Sequence, residues 1–76
     1  MFSRLPDWDK TTVLIRPEYW TRTPKGALMC WGIEVVSPTE TYVVETYNNW
    51  HTWTRNTDVD SVDAGHDFIM AWFEQA

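Results

Sequence analysis

The sequence predicts an α+β fold, a small antiparallel sheet of three or four strands with one C-terminal helix packed on one face. Three observations predict it: a β-branched run near the start, two apolar segments around a proline turn, and a final segment with helical periodicity. Because the chain has 76 residues, we expect a single domain, 1–76, with one two-layered core. Residues 1–10 contain Pro6 and two aspartates and are expected to form an irregular N-terminal arm.

The predicted strands cover about 12–16, 27–36 and 41–47, with 50–55 as a fourth strand. The first contains β-branched residues and ends before Pro17, since proline has no N–H group to donate to a sheet. Residues 17–26 are expected to form a long loop that exposes Tyr19 and Trp20. Asn48-Asn49 suits a two-residue hairpin turn before the fourth strand.

The clearest pairing is between the second and third strands, which flank a type I turn at Ser37-Pro38-Thr39-Glu40. We expect Val36 to pair with Thr41. The apolar core face then consists of Val35 with Tyr42, Ile33 with Val44 and Trp31 with Thr46. A shift of one residue would turn Glu34 and Glu45 toward the core, so the sequence favours the first register.

The last segment, about 60–75, has the periodicity of an amphipathic helix. Its apolar face contains Val62, Gly65, Ile69, Trp72 and Phe73. An acidic stripe, defined as Asp60, Asp63, Asp67 and Glu74, follows another face. Asp60 or Ser61 is expected to cap the N-terminus. Gly65 indicates a close approach of the helix to the sheet over Trp31 or Trp53, since glycine otherwise weakens a helix.

The charge of the chain favours a basic partner. Six Lys and Arg stand against eleven Asp and Glu, and residues 40–76 hold seven of the acids with Arg55 as their one Lys or Arg. This balance disfavours direct binding to nucleic acid or to an anionic membrane surface. Cys30 is the single cysteine and forms no internal disulfide, and the first ten residues lack a signal-peptide pattern. The sequence therefore predicts a cytoplasmic protein.

Motifs for catalysis or for metal binding are weak. In the expected register Cys30 lies on the outer face and His51 on the core face, so they do not meet, and His66 lies on the helix. Residues 56–67 faintly resemble a calcium loop, but Ser61 stands at the glycine position and Asp67 at the position of the bidentate glutamate. We expect no catalytic residues, no cofactor and no metal site.

Two surface features remain. The acidic stripe is either a solvated helix face or a docking face whose carboxylates stand in for the phosphates of nucleic acid. The second feature is aromatic: Tyr47 is expected to face Trp50 on the outer side of the sheet, and Trp20 lies in the loop. These rings either fold back as a secondary cluster or anchor a partner.

Our leading hypothesis is a non-enzymatic, acidic interaction module that docks on a larger basic protein, one that handles nucleic acid, and inhibits it. Asp60, Asp63, Asp67 and Glu74 supply the charge, and Tyr47, Trp50 and Trp20 the anchors. In size and acidity the chain is similar in type to small inhibitors from phages and mobile elements. The alternatives are a self-associating accessory subunit, including a homodimer through the aromatic face, and a small-ligand binder that stacks its ligand on tryptophan.

Overall fold

A computed structural model describes residues 12–47 and 52–75 of the chain. Its elements are β1 (Thr12–Leu14), a 3₁₀ turn (Pro17–Tyr19), β2 (Trp20–Arg22), β3 (Leu28–Ser37), β4 (Glu40–Tyr47), β5 (Thr54–Val59) and α1 (Val62–Gln75). The predicted α+β fold is confirmed, since the C-terminal helix packs on an antiparallel sheet. The predicted arm, 1–10, and the hairpin turn at 48–49 lie outside the described residues.

The sheet has the order β1-β3-β4-β5, and β2 also pairs with β3. β1 pairs with one half of β3 and β2 with the other, so the two short strands follow one another along the same edge. The sequence missed β2, which falls inside the predicted loop. β3 is ten residues long, and its edge offers more backbone hydrogen-bonding groups than the three residues of β1 satisfy. Gly26, at φ 88°, lets the chain turn back from β2 into β3.

The expected pairing of Val36 with Thr41 is wrong by one residue. Val35 pairs with Thr41 and Ser37 with Glu40, and the intervening Val36 forms an irregularity in the ladder. The predicted turn remains in place, because the extra residue is accommodated on the β3 side of it. The shift exchanges the two faces of β4 relative to β3. Ile33 therefore pairs with Val43, while Val44 pairs with Gly32.

Both faces of β3 are buried. Trp31 and Ile33 point toward α1, and Cys30, Gly32 and Glu34 point to the opposite face. On that opposite face a Cβ atom at position 32 would lie 2.7 Å from Val13 Cγ1 and 3.2 Å from Trp53 Cζ3. Because Gly32 has no side chain, Val13 and Trp53 can pack into the space above it. The core is two-sided, unlike the one-sided core that the sequence predicts.

The fourth strand begins later than expected, at Thr54 and not at about residue 50. Trp53 precedes the strand and is buried, and the strand begins to pair with β4 at Thr54 and Arg55. β5 consists mostly of polar residues, Thr-Arg-Asn-Thr-Asp-Val, without the apolar alternation that predicts a strand. Backbone pairing with β4 along the sheet edge, and not its own hydrophobic pattern, makes this segment a strand.

The helix begins at Val62, two residues after the predicted start. The hydroxyl of Ser61 accepts a hydrogen bond from the Ala64 N–H at 3.0 Å, which confirms Ser61 as the cap. A Cβ atom at position 65 would lie 3.3 Å from Ile33, so Gly65 approaches the sheet over Ile33 and not over Trp31 or Trp53. Among the described residues no helix is long and apolar enough to cross a bilayer.

Candidate protein-docking surface

The acidic stripe is exposed along its whole length. Asp60 lies just before α1, and Asp63, Asp67 and Glu74 lie on the helix. At about 100° per residue, the three helical carboxylates point away from the side on which Gly65 and Ile69 are buried. Within residues 12–47 and 52–75 the ion pairs are Arg16–Glu18 and Arg55–Glu34, so no stripe carboxylate is paired there. The stripe is therefore a run of charge that this part of the chain does not neutralise.

The acidic surface continues past the start of the helix onto the end of the sheet. Glu40, Asp58 and Asp60 line a shallow open cavity of about 360 Å³ beside the turn between β3 and β4. The Tyr42 hydroxyl donates a 2.6 Å hydrogen bond to Oε2 of Glu40 at its edge. A partner that follows the helix axis toward its N-terminus would thus keep meeting carboxylates.

An exposed aromatic group occupies the shoulder of the helix beside the stripe. Phe68 and Trp72 are 38% and 37% exposed, and they pack edge-on against the buried Trp31, with ring centroids 6.4 Å and 5.2 Å away. Ala71 and Ala64 lie between this shoulder and the acidic stripe on the helix surface. The outward side of α1 thus has carboxylates along one edge, alanine side chains in the middle and aromatic rings along the other edge.

Tyr47 belongs to the same side of the sheet as this aromatic group. Because Met29 pairs with Tyr47 and Trp31 with Glu45, the Tyr47 ring lies on the helix-bearing face, and the predicted outer-face position is wrong. The ring is 49% exposed, and its hydroxyl donates to Oε2 of Glu45 at 2.6 Å. Asn56 donates to the other oxygen of Glu45 at 2.8 Å. We call Tyr47, Phe68 and Trp72 the aromatic patch.

The other two predicted anchors, Trp20 and Trp50, do not belong to the aromatic patch as described. Trp20 is half-buried, pairs with Cys30 and packs against the core, so it lies in β2 and not in the loop that the sequence predicts. The neighbouring Tyr19, also expected to be exposed, is fully buried. Trp50 lies outside the described residues. Phe68 is an exposed ring of this patch that the sequence analysis did not predict. Its position four residues before Trp72, on the same side of the helix, was the signal that could have found it.

Sequence reasoning also missed an ion pair on the face opposite the helix. Glu34 is fully buried, and Arg55 donates to its two oxygens, from Nε at 2.8 Å and from Nη2 at 3.1 Å. The guanidinium carbon lies 4.2 Å from the centroid of the Tyr42 ring. The hydrogen bond with Glu34 raises the pKa of Arg55 further above its usual value. Two features of the sequence could have indicated this pair: Arg55 is isolated in an acidic half of the chain, and Glu34 lies within an apolar strand.

A second unpredicted contact joins the helix to the 3₁₀ turn. The Tyr19 hydroxyl lies 2.7 Å from Nδ1 of His66, and burial raises the pKa of Tyr19. These residues line an open cavity of about 460 Å³ with apolar side chains from β1, β3 and the helix start. Among the described residues no tryptophan lines this cavity, so they do not supply a Trp-stacking site for a ligand there.

Within residues 12–47 and 52–75, the sequence candidates for nucleophilic and metal chemistry lie apart. Burial raises the pKa of the Cys30 thiol to about 12, so the thiolate needed for nucleophilic attack is scarce at neutral pH. Cys30 faces away from the helix that carries His66, and His51 lies outside the described residues. In the part of the chain that the structure describes, no three His, Cys, Asp or Glu side chains are arranged to hold a metal ion.

No protein-family model, curated protein or solved structure matches this chain. The fold and surface by themselves define an α+β domain with an acidic and aromatic outward face.

Proposed function

We propose that this chain is a small acidic interaction module that docks on the basic surface of a larger, nucleic-acid-handling protein and blocks it. The observation that carries the proposal is the run of exposed carboxylates Asp60, Asp63, Asp67 and Glu74, unpaired among the described residues. Carboxylates lined up along a helix and just before it present the charge that such a protein is built to bind.

The dimensions of the helix are adequate for such an interface. Fourteen residues give α1 a length of about 21 Å. A standard interface takes about 800 Å² from each partner. The chain exposes 5177 Å² in total, so that area is about a sixth of its surface.

The energetics of the stripe also favour a functional interpretation. Asp63 and Asp67 are four residues apart, where like charges destabilise a helix by a few tenths of a kcal/mol. Glu74 lies in the last turn, where the helix dipole disfavours an acid, and that turn contains no basic residue. The helix dipole favours Asp63 in the first turn, but it does not explain Glu74 or the repulsion between Asp63 and Asp67, and a binding role would explain both.

The test compares the variant D63K/D67K with two single reversals, D67K and the control E18K. The single reversals change the net charge equally, and Glu18 is exposed and lies off both the helix and the acidic end of the sheet. Proteins from the source cell or its host are captured on the wild-type chain at low and high salt and then challenged with duplex DNA. We expect one nucleic-acid-binding protein that is released by salt and by DNA, and that D63K/D67K fails to retain.

The control should retain the same protein with little loss. Equal retention by D63K/D67K and the wild type would contradict docking through the helix. Retention that duplex DNA does not disturb would contradict occupation of a nucleic-acid site.

Self-association through the aromatic patch is a second candidate, favoured by the exposure of Tyr47, Phe68 and Trp72. It would bring two chains of net charge −5 together, and their repulsion opposes it at low salt. Mass by light scattering at increasing concentration tests it. A dimer that Trp72→Leu converts to a monomer would favour this candidate, and a monomer at all concentrations would remove it.

A further inference from the structure

We infer that the aromatic patch, with the Glu45 carboxylate at its edge, recognises an arginine side chain of the basic partner. This inference rests on the proposed function, because it names the chemistry by which the same outward face selects its partner. It concerns Tyr47, Phe68 and Trp72, which are exposed and lie on the helix-bearing side of the sheet.

The first support is a comparison of two tyrosines in β4. The hydroxyls of Tyr42 and Tyr47 each donate a 2.6 Å hydrogen bond to the glutamate two residues earlier, Glu40 or Glu45. The two pairs lie on opposite faces of the sheet, since positions 42 and 47 differ by an odd number. The molecule therefore builds the same tyrosine–glutamate unit twice.

Only one of these units has a cation within the described chain. The Arg55 guanidinium stacks 4.2 Å above the Tyr42 ring while it binds the Glu34 carboxylate. No cation of residues 12–47 or 52–75 lies over the Tyr47 ring, which is 49% exposed. An arginine from a partner would stack on the Tyr47 ring as Arg55 stacks on the Tyr42 ring. Its carboxylate partner would be Glu45, which already accepts from Tyr47 and Asn56, whereas Arg55 binds Glu34 and not Glu40.

Charge complementarity selects the occupant. The patch adjoins Glu45 on the sheet and shares α1 with the carboxylates of the acidic stripe. The second half of the chain, 40–76, contains a single Lys or Arg, Arg55, which points to the other face. A second copy of the chain would bring more carboxylates to this surface. A planar guanidinium can stack on a ring and donate to a carboxylate in one orientation, which a lysine ammonium cannot do.

Trp31 adds a further observation beneath the patch. Its indole is 2% exposed, and its Nε1 has no hydrogen-bond partner within residues 12–47 and 52–75. An unsatisfied buried donor is rare in a finished core. The exposed rings of Phe68 and Trp72 thus rest on a buried indole whose donor the described chain does not satisfy.

The experiment uses two defined probes, fluorescently labelled octa-arginine and octa-lysine peptides, bound to the full chain and followed by anisotropy. They have equal charge, so their affinity ratio reports guanidinium recognition and not charge alone. We expect the wild type to bind octa-arginine about fivefold more tightly. The Y47L/W72L variant should reduce that ratio to about one, while the salt dependence persists.

Two controls are matched to this variant. Y47F keeps the ring, so it should keep the arginine preference. Y42L removes a tyrosine of the same hydrogen-bonding type from the other face, where Arg55 already covers the ring, and should also leave the ratio unchanged. If Y47L/W72L does not fold by circular dichroism, Y47L alone, at a half-exposed position, must lower the ratio by at least half.

The outcomes separate this inference from the proposed function. Equal affinity for both peptides, weakened by D63K/D67K, would overturn arginine recognition and leave charge-based docking intact. Failure of both peptides to bind at low salt would overturn both. A concentration-dependent dimer that W72L dissociates, with the peptide ratio unchanged by Y47L/W72L, would overturn the arginine proposal in favour of a second copy.

Discussion

Arg55 makes a bidentate hydrogen bond to the fully buried carboxylate of Glu34, with N–O distances of 2.8 Å and 3.1 Å. The pair lies on the face of the sheet that α1 does not cover. The Arg55 side chain is itself 41% exposed, so the pair joins a core acid to a surface cation. The contact ties β5 to β3 across β4, the strand between them. It also explains how this chain accommodates an acid in its most buried strand.

Removal of the Arg55 guanidinium should be costly. We expect Arg55→Leu to lower the free energy of unfolding by about 3 kcal/mol, because the buried Glu34 carboxylate loses the guanidinium that binds both of its oxygens. Urea denaturation measures the loss. The matched control is Arg16→Leu, whose pair with Glu18 is exposed on both sides and should cost less than about 1 kcal/mol. Equal losses in the two variants would show that Glu34 does not depend on Arg55.

Two glycines should respond differently to alanine. Gly32→Ala places a methyl group 2.7 Å from the buried Val13, so we expect a loss of about 1–3 kcal/mol from overpacking. At Gly65 the new contact with Ile33 is 3.3 Å, and the gain in helix propensity of about 1 kcal/mol offsets it. Thermal unfolding of both variants tests whether Gly32→Ala is the less stable of the two. A Gly65→Ala variant less stable than Gly32→Ala would contradict the packing on both faces of β3.

Alkaline pH should destabilise the fold through Cys30. Its pKa is raised from 9.0 to about 12 in the folded chain, so the unfolded chain releases the thiol proton first. Stability contributed by the neutral thiol is therefore complete below pH 9 and is lost as the pH rises from about 9 toward 12. The expected slope approaches about 1.4 kcal/mol per pH unit above about pH 10, where the unfolded thiol is ionised and the folded one is not. Urea midpoints between about pH 8 and 11 measure it, and Cys30→Ala should remove this slope.

Burial also raises the pKa of Tyr19, so that group adds to the loss at still higher pH. A Tyr19→Phe variant separates the two effects, since it should leave the slope between pH 9 and 10 in place. Persistence of that slope in Cys30→Ala would count against the buried thiol as its cause.

The last turn of the helix offers a gain in stability. We expect Glu74→Gln to raise the free energy of unfolding by about 0.3–1 kcal/mol at low salt, because the C-terminal end of a helix disfavours negative charge. Urea denaturation at low and high salt measures the gain, which should shrink as salt screens it. Asp63→Asn, in the first turn, is the matched control and should be slightly destabilising. A loss of stability in Glu74→Gln would mean that this carboxylate has a structural partner.

Local patterns predicted the parts of this molecule that depend on near neighbours in the chain. The turn at 37–40 follows from Pro38 in a polar tetrapeptide, and the helix follows from its periodicity and from the Ser61 cap. The exposed stripe on that helix was equally predictable, since spacing alone decides which side chains share a helical face. Half of the candidate docking surface was therefore visible in the sequence.

The aromatic half of the surface was decided by tertiary structure. One irregular residue, Val36, moved the β3–β4 register by one, which turned Tyr47 to the helix side. A strand side chain changes face with every single residue, so one insertion reverses a prediction that the flanking pattern favours. Trp20 is partly buried for a comparable reason. The short strand β2 pairs with the open edge of β3, and this pairing is a contact between separate segments.

The sequence by itself determined the fold class, the helix and its acidic stripe, because these depend on composition and on spacing within one element. Only the tertiary structure decided which acid is buried and which aromatic rings stay exposed. Glu34 is tolerated in the core because Arg55, 21 residues later, reaches it across β4, and no local pattern encodes a contact between separate strands. Burial depends on what the rest of the chain brings to a side chain, and that is settled only when the strands are paired.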